Sequence, residues 1–219
     1  MRGPYCGRMK ATWFPCFIDC EASGFGSTSY PIAVAWNDTE GVIHRLLIDP
    51  RSVPAWKQWD ERAFAAHGLT REQLYTEGMS PSEVMRQLSN DLAGMQVFSD
   101  APEYDGAWLR TLAAAAGAAA AGAPAAAAPL QFTLEHADEF FIGALQQPNE
   151  MLYQTQLRLE RLKADLQRTR VAQHDPGYDV GWLVQTWRRC LSEPAKMGHG
   201  SGPLPESTAT GSFKKMTVS

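Results

Sequence analysis

No stretch of this sequence stays apolar for the roughly 18 residues that a membrane-spanning helix requires, so no membrane span is expected. Positive charge is not in excess either. The 20 Lys and Arg stand against 24 Asp and Glu, for a formal net charge of −4. That excludes a bulk basic surface of the kind that tracks nucleic-acid phosphates, although a pocket of metal-binding carboxylates would by itself lower the count. The N-terminal MRGPYCGRMK is basic but has no apolar core behind it, so no secretory signal is read and a cytoplasmic protein is expected. Cysteine is scarce, at Cys6, Cys16, Cys20 and Cys190. Cys16 and Cys20 lie four apart on one strand, too far apart to share a metal, and no second Cys/His pair completes a zinc set. The four read as ordinary reduced thiols. There is no internal repeat.

What is present suits one domain with a full core: 219 residues, 44% of them hydrophobic. A strand is read around 13–21, a second over YPIAVAWND and a third over VIHRLLIDP, joined by short loops as an antiparallel meander. AWKQWDERAFAA, residues 55–66, has helical apolar spacing and stops at His67-Gly68. SPSE, residues 80–83, starts a helix: Ser80 caps it, Pro81 is its first residue and Glu83 completes a capping box. MQVFSD reads as a short strand, followed from about Pro102 by a helix. Residues 113–129 are nearly all Ala; 113–121 extend that helix and the remainder, with its Gly and Pro, reads as an insert without chemistry. PLQFTLE is a further strand, HADEFFIGAL a short helix, and 150–170 a helix with Met151, Leu152, Leu159, Leu162 and Leu166 on its apolar face. Residues 177–191 give the last helix. An N-terminal tail is expected at 1–12, the domain at 13–191, and a disordered tail at 192–219, which is rich in Gly, Pro, Ser and Thr. Strands followed by alternating helices and strands imply an α/β mixed sheet.

The acids fall at the ends of these elements. In FIDCEASGF, Asp19 and Glu21 are two apart on a strand, so they share a face at roughly 6.6 Å while Ile18 and Cys20 face the other way. Two such carboxylates repel and resist ionisation, and a divalent cation bound by carboxylate oxygens removes the conflict. A strand end that simply emerges into water is the plain alternative. In VFSDAPEYDGAWL, Asp105 sits in a helix's first turn after an apolar strand, where ligands gather in α/β sheets. Taken alone it reads first as a helix N-terminal charge, since acids are favoured there. In HDPGYDVGWL, His174 and Asp179 are one to two helical turns apart and can face one site.

Taken together, FIDCEASG, VFSDAPEYD and HDPGYD resemble the DEDDh 3′–5′ exonucleases of the ribonuclease H-like superfamily, the group of ribonuclease T, oligoribonuclease and the DNA polymerase III proofreading subunit. HGLT, residues 67–70, matches a His-Gly-Ile-Thr turn common there. The resemblance covers about 13–110 and 150–191 and implies a ribonuclease H-like fold: an antiparallel three-strand meander plus parallel strands, flanked by helices. It implies that Asp19, Glu21, Asp105 and Asp179 hold two divalent ions, Mg²⁺ or Mn²⁺, and that His174 is the general base toward the attacking water. It places Ala22, Ser23, Gly24 and Phe25 at the terminal nucleotide, with Phe25 stacking on a base or, equally, anchoring the loop. Arg158, Arg161, Lys163, Arg168 and Arg170 make the helix before His174 basic, to track phosphates or as a solvated face.

Two motifs depart from the family pattern. Where relatives often have Ala-His-Asn before Phe-Asp, this chain has Ser99-Asp100-Ala101 before Tyr104-Asp105; where they have Arg-Ala after the His, it has Asp175-Pro176. Asp175 adds negative charge beside His174, and Asp100 and Glu103 are extra acids near the site. The expected partner is a single-stranded RNA or DNA 3′ end, RNA slightly favoured, and a homodimer is among the expected assemblies. A non-catalytic binding module keeping the fold, or a phosphodiesterase on dinucleotides, are the alternatives.

Overall fold

The structure, a computed structural model, describes residues 14–121, 129–168 and 174–193. Its sheet has five strands: β1 (Cys16–Ala22), β2 (Pro31–Asn37), β3 (Ile43–Leu47), β4 (Gln96–Ser99) and β5 (Thr133–His136), in the order β3-β2-β1-β4-β5. β1, β2 and β3 form the antiparallel meander, and β4 and β5 join β1 in parallel. This is the mixed sheet that the order of elements implies, with the ribonuclease H-like arrangement that the resemblance implies. α1 (Glu61–His67), α2 (Arg71–Glu77) and α3 (Pro81–Leu92) separate β3 from β4, α4 (Pro102–Ala121) separates β4 from β5, and α5 (Ala137–Leu145), α6 (Leu152–Gln167) and α7 (Pro176–Ser192) follow. No described helix is long and apolar enough to cross a membrane.

Alternation along β1 divides the core in two. Cys16, Ile18 and Cys20 pack with Val84, Leu88 and Leu92 of α3 and Leu109 and Leu112 of α4. Phe17 faces the other layer with Phe98, Phe141, Leu159, Val180 and Leu183. Asp19 and Glu21 follow Phe17 at the period of two, so they point into the α7 layer. There the sheet is thin: Ala35 is the cross-strand partner of Asp19, and Ala33 that of Glu21, both fully buried. Glycines answer them on α7. A Cβ on Gly177 would lie 3.4 Å from Arg45 Cδ, and one on Gly181 3.4 Å from Ile43 Cδ1. These glycines bring the first turns of α7 close to β3.

Several expectations meet the structure with differences. Residues 55–60 are not helical. Trp56 stacks on Tyr30 at 5.0 Å between centroids, and the Asp60 backbone N–H donates to the Ser23 carbonyl at 2.8 Å. Asp60 then caps α1 through the Arg62 N–H, so the apolar spacing of 55–59 serves tertiary packing instead of a helix face. α2 is an addition: Thr70 and Gln73 form its capping box. The HGLT turn works as a punctuation mark, with Gly68 in the left-handed region at φ 69° and its N–H on Phe64 O at 2.7 Å. The apolar face of α6 is shorter than expected. Thr155, Leu159 and Leu162 are buried, whereas Met151 and Leu152 are exposed. The first half of the Ala-rich tract does extend α4, through Ala121. The rest of the tract, Cys6, Arg170 and most of both expected tails lie outside the described residues.

Asn37, fully buried at the end of β2, fixes where β1 begins. Its Oδ1 accepts from the Phe17 N–H at 2.9 Å, and its Nδ2 donates to the Pro15 carbonyl at 2.9 Å. Asn37→Ala leaves both groups without a partner and should cost about 2–4 kcal/mol. Chemical denaturation measures it, and a loss under about 1 kcal/mol would show that β1 does not depend on this clamp.

Candidate metal centre and active site

The site forms where β1 outruns β4. Their parallel register pairs Cys16 with Val97 and Phe17 with Phe98, and β4 stops at Ser99 while β1 continues to Ala22. The Cys20 backbone N–H therefore faces no strand, and Asp105 Oδ1 accepts it at 3.1 Å. Asp105 lies in the first turn of α4 and is only 2% exposed. Its Oδ2 accepts from the Ser99 hydroxyl, which in turn accepts the Ala101 N–H at 2.9 Å. Ser99, in the departed second motif, thus orients the acid of that motif. A carboxylate has about four lone-pair sites, so these two bonds leave it able to bind a cation. β1 also shifts register between Glu21 and Ala22, a bulge-type irregularity that turns the chain off the sheet beside the acids.

Two donor sets result. One ligand atom each from Asp19, Asp100 and Asp105 lie within 4.8 Å of one another, and so do atoms from Glu21, His174 and Asp179. All five residues of the sequence motifs are therefore brought together. Asp100 joins them as a further carboxylate; the sequence marked it only as an extra acid, and its place directly after the β4 strand was the available signal. Asp175 caps α7 by accepting the Gly177 N–H at 2.9 Å and the Tyr178 N–H at 3.3 Å, and it pairs with Arg45 of β3 at 2.9 Å. The negative charge expected beside His174 is thus matched by a cation that no motif announced. His174 itself is exposed, and its backbone N–H donates to the Ala66 carbonyl at 3.3 Å.

The cluster is electrostatically uncomfortable. Burial pushes the Asp19 carboxyl well above its ordinary range, and Asp105, Asp179, Asp100 and Glu21 push it further. Glu21 is pushed up to about 8 by burial and then by Asp179, Asp175 and Asp105, with Arg45 opposing. Asp105 is raised by burial, against the Ser99 and Cys20 hydrogen bonds. Burial also raises the Cys20 thiol, keeping it protonated and out of ligation. Among the described residues, no Lys or Arg makes an ion pair with Asp19, Glu21, Asp100 or Asp105. A set of oxygen donors with one imidazole nitrogen, short of positive charge, fits hard divalent cations such as Mg²⁺ or Mn²⁺.

Around the cluster, the nearby residues divide by role. Ala22, Ser23 and Gly24 are buried, and they close the loop after β1. The Ser23 hydroxyl bonds Gln58 Oε1 at 3.0 Å and accepts the Tyr30 N–H at 3.2 Å, and a Cβ on Gly24 would meet Asp60 Cβ at 2.8 Å. Phe25 is 65% exposed, which removes the loop-anchor alternative for its ring. Tyr104 and Tyr178, each preceding a buried acid, are exposed as well. His67 is structural: its Nδ1 accepts the Leu69 N–H at 2.9 Å, and burial, then the charge of His174, hold it down at about 4. On α6, Arg158 is bound to Glu150 and Lys163 to Asp138, so these two serve packing; Arg168 pairs with Asp165 at the exposed end.

No protein-family model matches the chain, and no curated protein matches it. Solved structures do. Exonuclease I from Methylocaldum szegediense, described as moderately thermophilic, superposes with a TM-score of 0.53 at 17% identity, over 79% of this chain and 39% of its own. Escherichia coli Exonuclease I in complex with a dT13 oligonucleotide gives 0.53 at 14% identity, over 81% and 40%. The zinc-bound form of the E. coli enzyme with single-stranded DNA gives 0.51 at 14%, over 79% and 39%. The chain spans about two fifths of the length of these proteins. The likeness establishes the fold.

Proposed function

We propose that the chain is a metal-dependent 3′–5′ exonuclease that hydrolyses phosphodiester bonds at single-stranded nucleic-acid 3′ ends. The observation that carries this reading is the convergence of Asp19, Glu21, Asp100, Asp105, His174 and Asp179 into two adjacent donor sets at the ends of β1 and β4. Asp19, Asp100 and Asp105 would hold one cation, and Glu21 and Asp179 the other. Two divalent ions, when bound there, supply charge stabilisation on both sides of a scissile phosphate. The chain's own residues do the rest. Exposed His174 takes a proton from the attacking water, as an imidazole can near neutral pH. Phe25 offers a stacking face to a terminal base, and stacking tolerates any sequence. The fold's solved neighbours include complexes with single-stranded DNA. RNA, slightly favoured on the sequence, therefore has to be set against DNA directly, because the choice rests on contacts to the 2′-hydroxyl.

Labelled single-stranded RNA, DNA and dinucleotides, each incubated with Mg²⁺ or Mn²⁺, test the reading. Stepwise loss from the 3′ end is expected. Cleavage confined to dinucleotides would establish the small-substrate phosphodiesterase instead, and tight oligonucleotide binding without cleavage the non-catalytic module. Asp19→Ala, Glu21→Ala, Asp105→Ala and Asp179→Ala should each abolish cleavage while the chain stays folded; near-wild-type cleavage removes that residue from the ligand set.

The charge balance makes a stability prediction that needs no substrate. The folded-state value of Glu21, about 8, lies above its ordinary 4.5. Between those two pH values the folded state binds more protons than the unfolded state, so stability falls as pH rises. In chelator, the melting temperature should therefore decline from about pH 4.5 to about pH 8 and level off beyond. Glu21→Gln should flatten part of that slope, and Mn²⁺ should lift the high-pH end. A metal-free melting temperature that does not fall across this window, or a slope that Glu21→Gln leaves unchanged, would contradict the carboxylate cluster.

His174→Ala separates two roles for the ring, since a His174 ring nitrogen lies within 4.8 Å of carboxylate oxygens of Glu21 and Asp179 and could share an ion with them. As a general base it should lower turnover by about 10²–10⁴-fold with the Mn²⁺ requirement unchanged. A Mn²⁺ requirement that rises while turnover recovers at saturating metal would make it a ligand.

A further inference from the structure

Arg45 lies on β3, two strands away from β1. It is nevertheless in one cross-sheet row with the site: Arg45 pairs with Ala35, and Ala35 pairs with Asp19. Cross-strand partners share a face, so the Arg45 side chain stands on the α7 side of the sheet, and the short Ala35 leaves the row open between the two. Its guanidinium Nη2 lies 2.9 Å from Asp175 Oδ2. The other Asp175 oxygen accepts the N–H groups of Gly177 and Tyr178 at 2.9 and 3.3 Å. One carboxylate thus ties the first turn of α7 to β3. His174 immediately precedes it, and the Asp179 N–H donates to the Asp175 carbonyl at 3.0 Å. Arg45 is also the one cation among the main influences on Glu21.

We propose that Arg45 and Asp175 are a positioning pair that fixes where His174 and Asp179 stand over Glu21, so that turnover and metal binding depend on their contact. The proposal rests on the nuclease reading for its catalytic consequence. The physical case is one of leverage. The two side chains are 34% and 22% exposed, and a partly exposed ion pair contributes little to stability. A displacement of about 1 Å in a catalytic group, by contrast, can cost on the order of 100-fold in rate. The pair also explains why the helix start tolerates an acid beside His174. The charge is held by β3 on one side and by two backbone N–H groups on the other.

The test is a cycle of Arg45→Met, which keeps the packing stem, Asp175→Asn, which keeps an N-cap acceptor, and the double variant. Each is measured for single-turnover cleavage of a labelled oligonucleotide at saturating Mn²⁺, for Mn²⁺ affinity by calorimetry and for melting temperature. Each single variant should cleave about 10- to 100-fold more slowly with its melting temperature held. The double variant should be no slower than the slower single, because one interaction is removed twice. Arg45→Lys should recover part of the rate. A wild-type rate in either single variant, multiplied losses in the double, or losses that track melting temperature would overturn the pair. If Arg45→Met does not fold, Asp175→Asn decides alone by the same criteria. If the wild type binds Mn²⁺ but cleaves nothing, the nuclease reading fails. The pair is then decided by calorimetry: Mn²⁺ affinity about 10-fold weaker in Asp175→Asn supports it, and unchanged affinity overturns it.

Discussion

Everything in this molecule accommodates one conflict: carboxylates gathered in a half-buried pocket where they raise one another's proton affinity. Asp19, Glu21 and Asp105 are all pushed toward the neutral form, and burial is the first cause for each. A fold tolerates such a cluster only if the apolar packing around it is secure. Here Phe17, two residues before Asp19 on the same face, is packed against Phe98 and Phe141 on one side of β1, and Ile18 belongs to the α3–α4 layer on the other. The acids are the continuation of a strand whose earlier residues are locked into both cores.

The short β4 is the second half of the same constraint. Had it paired with β1 to the end, the Cys20 N–H would be part of a ladder and Asp105 would have no backbone donor to meet. Because β4 stops at Ser99, the chain turns into α4 at the level of Asp19, and both Asp105 oxygens are held before any ligand arrives. Orientation by groups already fixed in place is what a metal centre needs of its protein, since ligands held in advance lose little freedom on binding.

Much of this was legible in the sequence, for physical reasons. The period of two put Asp19 and Glu21 on one face. The Ser80 capping box and the Pro81 start are local chemistry, and α3 begins where they say. The three strands of the meander announce themselves by apolar runs. Residues 55–60 misled because Trp56 and Trp59 are spaced as on a helix but are fixed by Tyr30 and Arg71, partners distant in the chain, and by Phe64 of α1. Arg45 was invisible because its role depends on which residue lies across two strands, which periodicity does not encode. Asp100 was visible as an acid, but its inclusion among the donors follows from how β4 ends. Phe25 was ambiguous in the sequence because an aromatic in a loop serves packing or contact equally well, and only its exposure separates the two.

The same charge inventory bears on how a nucleic acid would be held. Two divalent cations among Asp19, Glu21, Asp100, Asp105 and Asp179, as proposed, would leave one negative charge in excess, and Arg45 is already matched by Asp175. Of the α6 cations, Arg158 and Lys163 are taken up by Glu150 and Asp138, which leaves exposed Arg161. With a net charge of −4 over the whole chain, long-range attraction of phosphate is weak. Recognition of a strand end, as proposed, would then fall to short-range contacts. The large apolar groups exposed beside the acids are aromatic: Phe25 after β1, Tyr104 before Asp105 and Tyr178 before Asp179. Stacking of about 1–3 kcal/mol per base is little affected by salt, unlike binding driven by phosphate neutralisation. On the proposed nuclease reading, the pocket would supply the chemistry and its aromatic rim the grip.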